Sequence, residues 1–285
     1  MLGTVGDLVE DIVVRLGGPV NVASDTRAVV VRRRGGSAAN MAVSAVRSGT
    51  PARFIGQVGD DAHGDVLIDA LRAEGVDVVV RRGGRLGTIV VLVDLAGERT
   101  MLSDRGGCID LDDPDPAWLD GLNTLHVPLY SLVVSPLAET AEALIGWAHE
   151  RGIIVSIDAS SSGVIVEFGV DRVARMLERL RPTVLLCNEL EASCLGEASE
   201  PARIGGRVTV IKQGAAPALV MQPGSATVSV PTPTVEDVRD TTGAGDAFAA
   251  GFLAAFVAGE SPVAAAEAGH RSAAAAIIAA SRQGV

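Results

Sequence analysis

The alternation of short apolar runs with amphipathic segments is the feature that most constrains the fold of this chain. The apolar runs have the length and β-branched content of buried strands, and the segments between them have helical periodicity. The runs are 125–129, 153–158, 184–187 and 208–211, and the helical segments are 137–150 and 170–181. Strands that alternate with helices predict an α/β fold with a mostly parallel sheet covered on both faces.

The 285 residues are enough for one large domain with a well-buried core. The N-terminus does not have the pattern of a signal peptide, no apolar stretch is long enough to span a membrane, and the three cysteines lack metal-ligand spacing. We therefore expect a cytoplasmic protein with reduced thiols. The net charge of −11 disfavours nucleic acid or an anionic membrane as a partner.

Two segments rich in Val and Arg, 11–34 and 76–100, interrupt the alternation. Short strands are predicted at 78–80, 88–94 and 99–101, with a turn at 95–98. Strands from two separate segments can form a small sheet that projects from the main domain, and its apolar face needs a ligand or a second subunit as a cover. Alternatively, these strands extend the main sheet.

The strongest local motif is the segment 240–246, with the sequence DTTGAGD, which precedes a helix of small residues. Gly243 and Gly245 allow successive backbone N–H groups to point into one concavity at the helix N-terminus, where a phosphate group binds favourably. Asp246 lies in the first turn of that helix. It either caps the helix or accepts a proton from a substrate hydroxyl, and the spacing alone does not distinguish these roles.

A second glycine turn, 35–40 with the sequence GGSAAN, opens another helix of small residues, predicted at 41–48. Asn40 would project from its first turn with both a donor and an acceptor available. The residue either contacts a ligand or has a capping or packing role.

Together, the two glycine motifs resemble the signatures of the ribokinase-like (PfkB) carbohydrate kinase family. The segment 240–256 is similar to the C-terminal signature, 35–64 to the N-terminal signature, and the NELEA sequence at 188–192 to the NxxE element of that family. The resemblance extends over residues 5–284. It implies a three-layer α/β/α fold with a mostly parallel central sheet, in a single kinase domain, 1–285, with lid segments at about 12–34 and 77–104.

In this family, a hydroxyl group of a sugar or nucleoside attacks the γ-phosphate of ATP. The resemblance implies that Asp246 is the general base and that the turn from Thr242 to Gly245 forms an anion hole. The implied catalytic residues are Asp246, Gly243, Ala244 and Gly245. The implied substrate-binding residues are Asp11, Gly35, Gly36, Asn40 and Asp246. Asp7 is an alternative to Asp11, but it precedes the expected position in the strand.

The resemblance also implies cofactor sites for ATP, Mg²⁺ and potassium. Asn188 and Glu191 would order Mg²⁺ through water, although an Asn followed by a Glu three residues later also predicts a capping box. The implied nucleotide-binding residues are Asn188, Lys212, Gly214, Thr242, Gly243 and Gly245. Asp240 and the Thr242 carbonyl resemble part of a K⁺ site, and the segment 270–284 resembles the flank of an adenine pocket.

On the sugar side, the chain departs from ribokinase. Ser37 replaces the lysine that follows the paired glycines there, and the strand end at 127–131 lacks the ribokinase glutamate, so that ribose is not assigned. Arg105, in a segment similar to the lid return, is a candidate ligand for a carboxylate or phosphate on the substrate.

We therefore expect an ATP-dependent kinase that phosphorylates a hydroxyl of a sugar or sugar-like molecule, as a homodimer paired through the lid. One alternative is a nucleoside kinase, for which Phe54, Phe168 and Tyr130 are stacking candidates, although aromatic residues make up only 3% of the chain. The other is a sugar or nucleotide sensor that has the same fold but no activity.

Overall fold

A nine-stranded sheet forms the centre of the protein. The computed structural model describes residues 1–238 and 240–282, so the end of the segment expected beside the adenine pocket, 283–284, lies outside the described residues. The strands of this sheet are β1 (Leu2–Val5), β4 (Ala52–Val58), β5 (Asp77–Arg82), β8 (Thr124–Pro128), β9 (Ile154–Asp158), β10 (Val184–Asn188), β11 (Val208–Gln213), β12 (Ala216–Met221) and β13 (Val228–Val230).

The strand order is β13-β12-β11-β10-β9-β8-β1-β4-β5. From β11 to β5, every neighbouring pair is parallel, whereas β12 and β13 join at one edge as antiparallel strands. This topology confirms the prediction of a mostly parallel central sheet. It also brings the carboxyl ends of the parallel strands to one edge, where ligands bind in open α/β sheets.

Within residues 1–238 and 240–282, eight α-helices pack against the two faces of this sheet. They are α1 (Ser37–Arg47), α2 (Ala62–Ala73), α3 (Leu137–Glu150), α4 (Ser162–Phe168), α5 (Val170–Leu180), α6 (Glu189–Leu195), α7 (Ala244–Val257) and α8 (Pro262–Arg282). One apolar core contains residues of α1, α2, α7 and α8, and the other contains residues of α3 to α6. The three-layer α/β/α architecture is thus confirmed.

A second sheet has four strands in the order β3-β2-β6-β7. Its members are β2 (Val9–Leu16), β3 (Ala28–Gly35), β6 (Thr88–Val93) and β7 (Arg99–Asp104). The expected turn at 95–98 joins β6 to β7, with the backbone of Asp94 and Glu98 hydrogen-bonded across it. The predicted segments 12–34 and 77–104 supply most of this sheet, and its function as a lid stays a prediction.

The prediction that residues 78–80 form a strand of the small sheet is wrong. They belong to β5, which pairs in parallel with β4 at the edge of the main sheet. Val78 and Val80 pack against the core that contains α1 and α2. The βαβ connection through α2 therefore determines the position of this strand, and only 88–104 of the second segment joins the small sheet.

Two glycines set the entry into the helices of the predicted motifs. Gly36 precedes α1 with φ of 96°, and a Cβ at that position would meet the carbonyl oxygen of Asp7. Gly243 precedes α7 with φ of 76°, in the left-handed region that other residues rarely adopt. Because α1 begins at Ser37, four residues earlier than predicted, Asn40 lies on its first turn.

Among the described residues, no helix has both the length and the apolar character that crossing a membrane requires.

Candidate active site

The predicted site residues lie around the carboxyl ends of the parallel strands and the start of α7. Asp158 ends β9 and pairs in register with Leu186 of β10, while Asn188 at the end of β10 pairs with Lys212 of β11. The small sheet, α1, α7 and α8 enclose a cleft of about 700 Å³. Asp11, Asn40, Thr242 and Gly243 line this cleft.

Asp246 lies in the first turn of α7, beside the glycine turn, as the motif predicts. The Ser37 hydroxyl donates a hydrogen bond of 2.7 Å to Oδ1 of Asp246, and the Asn40 side chain forms a second hydrogen bond with this carboxylate. Burial raises the pKa of Asp246 to about 7, because the charged form loses hydration. The hydrogen bond from Ser37 opposes this shift, and the charge of Asp158 reinforces it.

Asn40 connects this carboxylate to the small sheet. Arg34, near the end of β3, donates a hydrogen bond of 2.9 Å to Oδ1 of Asn40. The side chains of Arg34, Asn40 and Asp246 thus form a continuous hydrogen-bonded chain. Sequence reasoning missed both Arg34 and Ser37 as site residues, although Ser37 stood out as a departure from ribokinase.

Asp11 lies on β2 directly against Gly35, where any Cβ would collide with its carboxylate. Burial raises the pKa of Asp11 to about 6, while the charges of Arg33 and Arg34 oppose the shift. Gly35, Asp11 and Asn40 are therefore close together, as a shared substrate surface requires. Their roles in binding substrate stay predictions.

Asp7, the alternative to Asp11, has a different partner. Its two carboxylate oxygens accept hydrogen bonds of 2.7 and 2.8 Å from Nε and NH2 of Arg105. Both groups are largely buried and paired with each other, and the role of Arg105 as a substrate ligand stays a prediction.

Lys212, the only lysine of the chain, forms an ion pair with Asp158, with 2.6 Å between Nζ and Oδ2. Burial disfavours the charged ammonium, but Asp158 outweighs it and raises the pKa of Lys212. The Nζ atom lies 3.6 Å from where a Cβ on Gly245 would be. A permanent positive charge therefore adjoins the glycine turn. The position of Asp158 at the end of a buried strand marks it in the sequence as a candidate site residue, but the sequence does not predict its pairing with Lys212.

Asn188 and Glu191 form the capping box of α6. The Asn188 backbone N–H donates to Oε2 of Glu191 at 2.7 Å, and the Glu191 N–H donates to Oδ1 of Asn188 at 2.9 Å. Burial raises the pKa of Glu191 to about 7, and the nearby charge of Asp158 acts in the same direction. The capping prediction is thus confirmed, and the metal role of the pair stays a prediction.

The carboxylates of Glu191 and Asp158 fit Mg²⁺ through their chemistry. Both supply the hard oxygen donors that Mg²⁺ prefers, and a cation beside them would relieve their mutual repulsion. Each carboxylate oxygen also has two lone pairs, so the capping hydrogen bonds do not use them all. Among the described residues, no group of three or more acidic, His or Cys side chains is placed to hold a metal. Water and phosphate oxygens would therefore complete the coordination.

Asp240 is paired with two arginines of the small sheet. Its oxygens accept hydrogen bonds from Arg99 at 2.7 Å and from Arg33 at 3.2 Å, and Arg99 also contacts the Thr242 hydroxyl. Burial alone would raise the pKa of Asp240, but these hydrogen bonds and those of Thr242 hold it well below its usual range. Two guanidinium groups already neutralise this carboxylate. The residues present therefore do not fit the K⁺ site that the resemblance implied.

Gly214 lies at the turn between β11 and β12 with φ of 60°, and a Cβ there would meet no other atom within 4 Å. Its proximity to Lys212 along the chain is consistent with a nucleotide-side loop, which stays a prediction.

Of the three aromatic candidates for stacking on a nucleobase, Phe54 is fully buried in the core and cannot contact a ligand. The guanidinium of Arg172 lies over the ring of Phe168, 4.1 Å from its centroid. Tyr130 is partly buried, and Asp246 is among the charged groups near it.

Comparison with known proteins gives consistent matches over most of the chain. The sequence model described as pfkB family carbohydrate kinase matches residues 6–283. Fructosamine kinase FrlD of Bacillus subtilis is 30% identical over 78% of this chain and 76% of its own length. Fructokinase of Klebsiella pneumoniae is 31% identical over 84% of this chain and 82% of its own length.

Among solved structures, adenosine kinase from Sinorhizobium meliloti superimposes with a TM-score of 0.84. It is 23% identical, and the match covers 100% of this chain and 99% of that one. At this level of identity, the likeness concerns the fold alone.

Proposed function

Because this chain belongs to the PfkB family of carbohydrate kinases and is an ATP-dependent carbohydrate kinase, we propose that it transfers the γ-phosphate of ATP to a sugar hydroxyl with Asp246 as general base. The observation that carries this proposal is the position of Asp246. Its carboxylate lies at the glycine turn before α7 and is held by Ser37 and Asn40. A carboxylate with a pKa near 7 can accept the hydroxyl proton at neutral pH.

The anion hole of the proposal consists of the backbone N–H groups at the start of α7. Residues 243–245 precede or open this helix of 14 residues, whose first N–H groups have no partner within the helix. Charge that develops on the transferring phosphoryl group would be stabilised there by these donors and by the helix dipole. Lys212 adds its ammonium charge next to Gly245. This local positive potential lets a chain with a net charge of −11 bind ATP.

Glu191, with Asn188 and Asp158 beside it, would hold Mg²⁺ through water and the phosphate oxygens. When bound, the metal ion would neutralise phosphate charge as the terminal phosphate leaves ATP. In the absence of this ion, the capping box keeps the Glu191 carboxylate in a fixed orientation.

Substrate hydroxyls would bind to Asp11, Asn40 and the backbone at Gly35 and Gly36. Arg33 and Arg99 of the small sheet are both paired with Asp240 and so connect that sheet to the loop before α7. We infer that the small sheet acts as a lid, which excludes water from the reaction, since water would otherwise compete as phosphoryl acceptor.

The experiment that tests the proposed function is a coupled ADP-release assay with Mg-ATP over a panel of acceptors. The panel includes fructose and fructosamine, which the names of two relatives suggest, together with pentoses, hexoses, sugar acids and nucleosides. Saturable ADP release with one acceptor, and a phosphorylated product in equal amount, is the expected result. Binding of a sugar or nucleotide without ADP release by any acceptor would instead support the sensor alternative. Preferential release with adenosine would support the nucleoside kinase.

We also propose that the protein is a homodimer paired through the small sheet, whose edge strands expose apolar side chains. Val29 and Val30 on β3 and Met101 and Leu102 on β7 are each more than half exposed. Light scattering should therefore give twice the chain mass of 29.1 kDa. Leu102→Glu should give monomers, whereas Val66→Glu, at an equally exposed position on α2, should not. A monomeric wild type would contradict the proposal.

A further inference from the structure

The cleft beside the proposed base is rich in arginine, although the chain as a whole is acidic. Five arginines and three aspartates contribute to its lining. The arginines are Arg15, Arg33, Arg34, Arg47 and Arg99. A local excess of guanidinium groups inside a protein of net charge −11 indicates a binding site for negative charge.

Arg33, Arg47 and Arg99 have carboxylate partners. Arg33 and Arg99 are paired with Asp240, and Arg47 with Glu74 on α2. Arg34 is different, since in the part of the chain that the structure describes no carboxylate lies within 4.0 Å of its guanidinium nitrogens. Its one hydrogen-bond partner there is the neutral Asn40 amide, to which it donates from NH1.

The environment of Arg34 leaves its charge only partly balanced. The side chain is half-buried, and burial together with the neighbouring charge of Arg47 lowers the pKa of Arg34. The charges of Glu74, Asp246 and Asp11 oppose this shift, but Glu74 is bound to Arg47, and the raised pKa of Asp246, about 7, leaves that carboxylate about half charged near neutral pH. A guanidinium has five N–H donors in a fork that matches a carboxylate or a phosphate, and four of these remain after the contact with Asn40.

We propose that the acceptor sugar of this kinase carries an anionic substituent, a carboxylate or a phosphate, and that Arg34 binds this group in the cleft. The inference rests on the proposed function, because Asn40 places the Arg34 guanidinium one residue away from the base Asp246. The sugar hydroxyls then contact Asp11 and Asp246, and the anionic group contacts Arg34. Arg34 is thus the residue that selects a charged sugar over its neutral counterpart.

The test compares charged and neutral acceptors that share a carbon skeleton. Glucose is compared with gluconate and glucose 6-phosphate, and ribose with ribonate and ribose 1-phosphate, by ADP release and by calorimetric binding to the full chain. An ionic hydrogen-bond pair predicts a preference of about 10- to 100-fold in kcat/KM or affinity for at least one anionic compound. Comparison of the sugar acids with the sugar phosphates identifies which anionic group is bound.

Arg34→Gln should remove this preference and change the KM for ATP little, while Arg34→Lys should retain part of it because the charge remains. Arg32→Gln is the matched control, since Arg32 is on the same strand, is largely exposed, pairs with Glu10 and lies outside the cleft lining. It should keep the full preference.

Three results would overturn the proposal. The first is equal or stronger use of the neutral sugars, and the second is the absence of binding by every anionic compound. The third is an equal loss of kcat/KM for all acceptors in Arg34→Gln, which would mean that Arg34 only positions Asn40. Preferential binding of an anionic compound without ADP release would support the Arg34 site while contradicting the proposed kinase reaction. ADP release with neutral sugars alone would support the proposed kinase reaction and contradict the Arg34 site.

Discussion

At the level of single side chains, the Asp246 carboxylate combines burial with two neutral hydrogen-bond partners. Burial raises its pKa to about 7, and the Ser37 hydroxyl partly offsets this by stabilising the charged form. A base must be deprotonated to accept a proton. We therefore expect kcat/KM to rise with pH through about 7, where half of the carboxylate is deprotonated, and to level off roughly one pH unit higher, where deprotonation is nearly complete.

Ser37→Ala should shift that pH profile upward by roughly one unit, because it removes a hydrogen bond to the charged carboxylate. The rate at pH 6 should therefore fall more than the rate at pH 8.5. Ser37→Thr, which retains the hydroxyl, is the control and should resemble the wild type. The same rate loss at every pH in Ser37→Ala would contradict this role for the hydroxyl.

Sequence predicts Asp246 well, because the glycines that shape its turn are its immediate neighbours. It does not predict Arg34 or the pair of Asp158 with Lys212. These two residues are 54 positions apart, and only the parallel register of β9, β10 and β11 brings them together. The departure at Ser37 was visible in the sequence, but its contact with Asp246 spans 209 positions and depends on the packing of α1 against α7.

At the level of elements, two arginines join the small sheet to the loop before α7. Arg99 on β7 and Arg33 on β3 share the Asp240 carboxylate, and their side chains are each about one-third exposed. An ion pair of this exposure contributes about 0.2–1 kcal/mol. The closed position of the proposed lid is therefore favoured only modestly, which suits an element that must open for substrate.

Arg99→Gln should loosen the lid and admit water to the site. The ratio of ATP hydrolysed to acceptor phosphorylated should rise by about two- to fivefold, in line with the weak ion pair. Arg85→Gln breaks an exposed ion pair with Asp104 and is the control. An equal effect of the two variants, or none in Arg99→Gln, would argue against the lid contact.

The close packing of α7 on α8 depends on Gly251. A Cβ there would meet the Ser272 side chain and lie 2.7 Å from the Ala268 carbonyl oxygen. Gly251→Ala should therefore lower the free energy of unfolding by about 1–3 kcal/mol, through overpacking. Gly146→Ala, on the exposed side of α3 with no atom within 4 Å of the new Cβ, should be neutral or stabilising by up to about 1 kcal/mol. Denaturant unfolding measures both, and equal stability of the two variants would contradict this packing.

Periodicity predicts the four parallel strands β8 to β11 and two helices of the main domain, and 137–150 coincides with α3. The one misplaced strand is β5. Its run of three valines fits an edge of either sheet, and only the connection through α2 assigns it to the main one.

At the level of the whole molecule, the acidic charge and the binding of a polyanion are compatible because the positive groups are concentrated. Lys212 and the start of α7 surround the expected phosphate position, and the arginines surround the cleft. Composition predicts the net negative charge but not the concentration of positive groups at one place. That concentration arises because the fold brings the strand ends and the small sheet together.

The most direct test of the central claim is the turnover of Asp246→Asn with the acceptor that the ADP-release assay identifies. Loss of the base should reduce kcat by about 10²–10⁴-fold and leave Mg-ATP binding nearly unchanged. Asp171→Asn, which alters an exposed aspartate in the first turn of α5, should retain full activity. Phosphoryl transfer by Asp246→Asn at the wild-type rate would contradict the assignment of Asp246 as the general base.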